Sequence, residues 1–125
     1  MDKVVHFEIP VDDVDRAKAF YGSVFGWELP DYPGMDYTGA ITTPMGEDHM
    51  PLEKGAINGG IMRRNADAPN PLITIQVDSI DDHLGTISGA GGKVIKGRTE
   101  VPNMGWFAYV ADTEGNVVGL WENMS

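Results

Sequence analysis

The chain has 125 residues and a formal net charge of −10, with 42% hydrophobic and 22% charged residues. That is the size of one compact domain, with room for a real core but not for two independent ones. The net charge and the nine scattered Lys and Arg, only Arg63 and Arg64 being adjacent, argue against a nucleic-acid partner; the absence of Cys excludes disulfides, thiolate metal sites and cysteine nucleophiles.

Residues Val4 to Val11 alternate apolar and polar side chains and predict a strand. Asp12 or Asp13 is placed to cap a following helix, with Asp15 near the positive end of its dipole. Val14, Ala17, Phe20, Tyr21 and Val24 then recur at helical spacing, and Gly26 stops the helix. Trp27 and Leu29 open an extended piece. Tyr37 to Thr43 and Ala56 to Arg63 predict two more strands around a charged, Pro-containing loop from Pro44 to Lys54. Asn65 to Pro71 reads as a linker, because Pro69 and Pro71 fit neither a helix interior nor a central strand. Leu72 to Val77 is the next strand, followed by a helix with Ile80, Leu84 and Ile87 on one face, ended by Gly91-Gly92. Lys93 to Lys96, Trp106 to Ala111 and Val117 to Trp121 complete the strands, with a turn at Thr113-Glu114-Gly115-Asn116. No apolar run approaches the roughly 18–20 residues of a membrane span, and Met1 to Val5 lacks a signal-peptide pattern. A cytoplasmic protein with no membrane partner is expected.

The second half restates the first. Phe7, Val11 and Asp15 have counterparts at Ile73, Val77 and Asp81, each 66 positions later, and Gly26 has one at Gly92. A repeat of this length predicts two similar modules, each a strand, a helix and three strands. The expected layout is a single domain over 1–125, with module one at about 1–64, a linker at 65–71 and module two at about 72–125.

The run His6-Phe7-Glu8-Ile9-Pro10-Val11 leading to Asp13, then Arg16-Ala17-Lys18-Ala19-Phe20-Tyr21 and Val24-Phe25-Gly26-Trp27, resembles the vicinal oxygen chelate superfamily. So does Asp112-Thr113-Glu114-Gly115-Asn116 before the last strand. Glyoxalases, bleomycin-resistance proteins and extradiol dioxygenases share that resemblance. It implies an α+β fold of two βαβββ modules forming a curved, mostly antiparallel sheet around a cleft. It also implies metal ligands on the first and last strand of each module. Carried over residue by residue, those positions are His6, Gly60, Leu72 and Gly119. Only His6 can bind a metal, whereas a catalytic divalent ion takes about three protein donors. No metal or other cofactor is therefore expected, although a divalent ion held by unconventional ligands stays open.

Alternation turns His6 and Glu8 to one side and Phe7, Ile9 and Val11 to the helix. His6 and Glu8 are the candidate acid/base pair. The expected ligand contacts are Tyr37, Gly60, Met62, Thr74, Gln76, Trp106, Gly119 and Trp121, the two glycines leaving space for a ligand. A solvated loop is the expected setting of His49, and a surface or half-buried place that of His83. The reading is a glyoxalase/bleomycin-resistance-like protein with a degenerate metal site. It binds a small organic molecule, with or without metal-independent acid/base chemistry, and associates as a homodimer. Two alternatives remain at this point: a metal-dependent lyase or isomerase acting on a 2-oxo or vicinal-oxygen compound, and a protein-interaction module with a vestigial cleft.

Overall fold

A computed structural model describes residues Met1–Met124. The chain forms two compact units, one of His6–Asn65 with Pro69–Pro71, the other of Met1–Val5, Ala66–Ala68 and the residues from Leu72 on. The architecture is α+β.

The His6–Asn65 unit contains strand β1 (Lys3–Val11, from His6), helix α1 (Val14–Phe25) and strands β2 (Thr38–Ala40) and β3 (Gly59–Arg63). Its strand order is β2-β3-β1, with β1 parallel and β2 antiparallel to β3. Asp13 caps α1 by accepting the Arg16 N–H at 3.0 Å, and Gly26 ends it in the left-handed region at φ 74°, where only a residue without Cβ is comfortable. None of the α1 residues is fully buried. Its inner side meets Trp27, on which Tyr21 stacks at 4.9 Å between ring centroids.

The strand expected from Trp27 shrinks to two isolated bridges, Glu28 with Ile41 and Asp31 with Thr38. Pro30 accepts the Gly39 N–H at 2.8 Å but has no N–H of its own to donate, which interrupts the ladder there. The Tyr37–Thr43 strand is also shorter than expected. The N–H groups of Thr42 and Thr43 are taken by the Asn58 side chain at 2.8 and 3.0 Å, so they leave the sheet early.

The other unit holds β4 (Leu72–Gln76), α2 (Ile80–Gly89), β5 (Lys93–Val101), β6 (Gly105–Ala111) and β7 (Val117–Asn123), in strand order β4-β7-β6-β5. β4 runs parallel to β7, and the remaining pairs are antiparallel. Its core is Val77, Ile80, Ala108, Val110 and Leu120, against which Ile75, Leu84, Ile87, Trp106 and Val118 pack. β5 runs well past the expected Lys96: register shifts on either side of Lys96 take up Ile95 and Gly97-Arg98, and pairing with β6 resumes at Thr99. The Asp112 turn is held by its own carboxylate, which accepts the N–H groups of Glu114 and Asn116 at 2.9 Å each. Among the described residues no helix is long and apolar enough to cross a membrane.

Candidate functional site

Strand alternation on β1 sends Phe7 toward Trp27, with 5.8 Å between ring centroids, and leaves His6 and Glu8 on the other side. There His6 Nε2 lies 2.9 Å from the Tyr37 hydroxyl and 3.4 Å from Glu8 Oε1. The second Glu8 oxygen is buried and has no hydrogen-bond partner among the described residues. Leaving a buried acceptor unpaired costs on the order of 1–3 kcal/mol, so such an atom calls for a functional or structural reason.

Tyr37 is held from behind. Its ring stacks on Tyr32 with centroids 6.0 Å apart, and its carbonyl accepts the Tyr32 N–H at 3.2 Å. Gly60 stands opposite Glu8 in the β1–β3 register. A Cβ built on Gly60 would coincide with the Tyr37 hydroxyl and the adjoining ring carbon. The cluster His6, Glu8, Tyr37 and Gly60 therefore comes together as one group. Met62, two residues on from Gly60 and half-buried, shares its strand face.

The other unit presents its own face on the sheet side away from α2. Thr74 pairs with Gly119, and Gln76 with Trp121, across β4 and β7. Phe107 and Tyr109 on β6 oppose Trp121 and Gly119, and their ring centroids are 5.4 Å apart. Trp121 is oriented by its indole N–H, which donates to Asn123 at 2.8 Å. Trp106 is not on this face. It packs against the core with Ala108 and Val110, and the Arg98 guanidinium covers its ring at 4.0 Å. Phe107 and Tyr109 hold the places that sequence reasoning gave to Trp106. The run Gly105-Trp-Phe-Ala-Tyr-Val-Ala111 has no polar alternation to reveal its parity, but pairing from Trp121 would have found both aromatics.

The two glycines do not leave open space as expected. Tyr37 fills the place beside Gly60, and the Thr74 hydroxyl lies 2.8 Å from where a Cβ on Gly119 would stand, with Leu72 close by. The four family ligand positions thus present an imidazole, a phenol, a buried leucine and a threonine hydroxyl. At these positions neither unit by itself supplies more than one of the carboxylate, imidazole or thiolate donors that a divalent ion takes. Among the described residues no group of three or more His, Cys, Asp or Glu is gathered anywhere else.

The remaining histidines lie apart. His49 sits in an exposed turn at φ 62°, its N–H bonded to the Gly46 carbonyl at 3.0 Å, and neighbouring Asp48 accepts the Met50 N–H. His83 on α2 has both ring nitrogens against oxygens, Nδ1 at 2.9 Å from the Ser79 carbonyl and Nε2 at 3.0 Å from Asp2. The Ser79 carbonyl, and then the Asp2 carboxylate, raise its pKa above the ordinary value.

Residues 3–43, the stretch that carries His6, Glu8 and Tyr37, match the family model described as bleomycin resistance protein-like N-terminal. The chain is 28% identical over 120 residues to CFP32 of Mycobacterium bovis, a protein provisionally named a glyoxylase; the match covers 92% of this chain and 43% of that protein. The chain thus spans less than half the length of the curated relatives it matches. In fold it is similar to hypothetical protein BH1468 from Bacillus halodurans, with TM-score 0.64, 16% identity and coverage of 99% of this chain and 96% of that one. It is also similar to Streptomyces coelicolor methylmalonyl-CoA epimerase in complex with 2-nitronate-propionyl-CoA, with TM-score 0.65, 13% identity and 98% coverage of both chains.

Proposed function

We propose that this chain is a member of the vicinal oxygen chelate superfamily, which the match over residues 3–43 and the likeness in fold support, and that it binds a small organic molecule through His6, Glu8 and Tyr37, without a divalent ion to hold it. The observation that carries this reading is the imidazole nitrogen set between a phenol and a carboxylate whose second oxygen is buried and unpaired among the described residues. Such a cluster offers donors and acceptors that fix the orientation of a polar group, and it is suited to passing a proton between His6 and Glu8. Gly60 and Met62 line the same strand face. Thr74, Gln76, Gly119 and Trp121, joined by Phe107 and Tyr109, provide a separate aromatic and amide surface for apolar contact.

The test is calorimetric titration of the protein and of His6→Ala with two probes, bleomycin and methylmalonyl-CoA, with NMR of each probe afterwards. Saturable binding weakened about tenfold by His6→Ala, roughly 1.4 kcal/mol, is expected, with the probe recovered unchanged. Conversion of the probe would replace binding by a lyase or isomerase activity. Binding indifferent to His6→Ala would move the site elsewhere.

Self-association as a homodimer is part of the same proposal. It is supported by α1, which has no fully buried residue and carries Phe20, Val24 and Phe25 more than half exposed. Sedimentation of the protein beside Phe20→Ser/Phe25→Ser checks it, with loss of a dimer expected in the variant.

A further inference from the structure

The superfamily resemblance puts a metal-ligand side chain at residue 60, and here that place holds the ring of another residue. We infer that Tyr37 has replaced the metal at this position: its hydroxyl, seated over the bare Cα of Gly60, holds the His6 imidazole where a coordinated ion would otherwise hold it. The inference rests on His6 and Glu8 forming the site proposed above, and it adds a positioning role for Tyr37 and a reason for Gly60.

Three observations carry it. The first is steric. A Cβ on Gly60 would overlap the Tyr37 hydroxyl, its Cζ and its Cε2, so a side chain at residue 60 and the Tyr37 ring exclude one another. The second is that the ring is preset. Besides the Tyr32 contacts, Thr38 next in sequence donates its hydroxyl to Asp31 at 2.7 Å, and Lys18 pairs with the same carboxylate at 3.0 Å. The segment that delivers Tyr37 is therefore pinned from both sides of the turn. The third is chemical. A phenol hydroxyl is a hydrogen-bond partner for imidazole and is not among the carboxylate, imidazole and thiolate groups that usually ligate a divalent ion. Glu8 Oε1 at 3.4 Å completes a contact set in which His6 needs no metal to stay in place.

The experiment is equilibrium dialysis against Ni²⁺ and Zn²⁺ followed by elemental analysis, on the protein, on Tyr37→Ala and on Tyr37→Ala/Gly60→Glu, with and without His6→Ala. The protein and Tyr37→Ala should retain no stoichiometric metal. The double variant clears the ring and sets a carboxylate beside His6 and Glu8; it should retain one ion per chain, lost when His6→Ala is added. Circular dichroism reports whether each variant folds. Should the double variant not fold, Tyr37→Phe decides, because it keeps the ring and removes only the hydroxyl. The ¹⁵N resonance of His6 Nε2 should then move relative to the unaltered protein. Stoichiometric metal on the unaltered protein that His6→Ala abolishes would overturn the inference. So would a folded double variant that binds no more metal than Tyr37→Ala, or a His6 resonance unmoved in Tyr37→Phe. None of these readouts uses the organic ligand, so failure of the binding reading and failure of this inference remain distinct results.

Discussion

Glu122 near the end of β7 accepts the backbone N–H of Ile80 at 2.8 Å, so the last strand of the unit supplies a cap to the first turn of α2. Ser79 caps the same turn by accepting the Asp82 N–H at 3.2 Å, and Arg98 holds the other Glu122 oxygen at 3.0 Å. A carboxylate at that end also faces the positive pole of the helix dipole. Glu122→Ala should cost about 1–2 kcal/mol in urea denaturation, the range of a lost helix cap. Glu122→Gln keeps an acceptor for Ile80 and should cost less. Equal losses for the two variants would show that charge, not the hydrogen bond, is what matters.

Acid should destabilise the fold through specific carboxylates. Arg98, and then the Ile80 N–H, hold Glu122 below its ordinary value of 4.5. The N–H and side chain of Asn116, chiefly, do the same for Asp112, whose ordinary value is 3.8. A depressed folded pKa gives stability that is present above the ordinary value and lost as pH falls through the folded value. Urea midpoints should therefore fall as pH drops below about 4.5. Glu122→Gln and Asp112→Asn should each flatten that fall, and an unchanged slope in both would remove them as the cause.

His83 acts with the opposite sign. The Ser79 carbonyl and Asp2, with Asp78 adding its charge, raise its folded pKa above 6.5. Both ring nitrogens face oxygen acceptors, so the contact is complete only when both carry protons. Its contribution is full below 6.5 and is lost as pH rises through the folded value. Urea midpoints should drift down as pH rises above 6.5 in the protein, and this drift should be absent in His83→Gln. NMR titration of the His83 ring gives the same test directly, and a midpoint below 6.5 would refute it.

Adjacent aromatics on β6 should respond differently to truncation. Trp106 packs on the core under Arg98, so Trp106→Ala should cost roughly 3 kcal/mol of stability. Phe107 faces the other way with Tyr109 and Trp121, so Phe107→Ala should lose less stability and weaken binding of whichever probe binds. Reversal of the two effects would invert the assigned parity of the strand.

The sequence by itself determined the α+β architecture and the order of its elements, because each rests on local signals. Asp13 before the first helix, Gly26 after it, and the Asp112–Asn116 turn are all satisfied by hydrogen bonds within a few residues. The same holds for His6 and Glu8 on one side of β1, since strand alternation is a local property. What only the tertiary structure decided lies in contacts between residues far apart in the chain. Tyr37 reaches His6 across 31 positions and fills the place beside Gly60, which the sequence presents as a bare opening. The strand expected at Trp27 was interrupted at Pro30, and that at Thr42 was lost to the Asn58 side chain, a partner sixteen residues away. Trp106 and Phe107 are both large aromatics, so only their pairing with β7 distinguishes the core side from the side away from α2. Hydrophobicity and spacing specify which segments form; the packing of one segment on another specifies which side chains meet, and the candidate site depends on the latter.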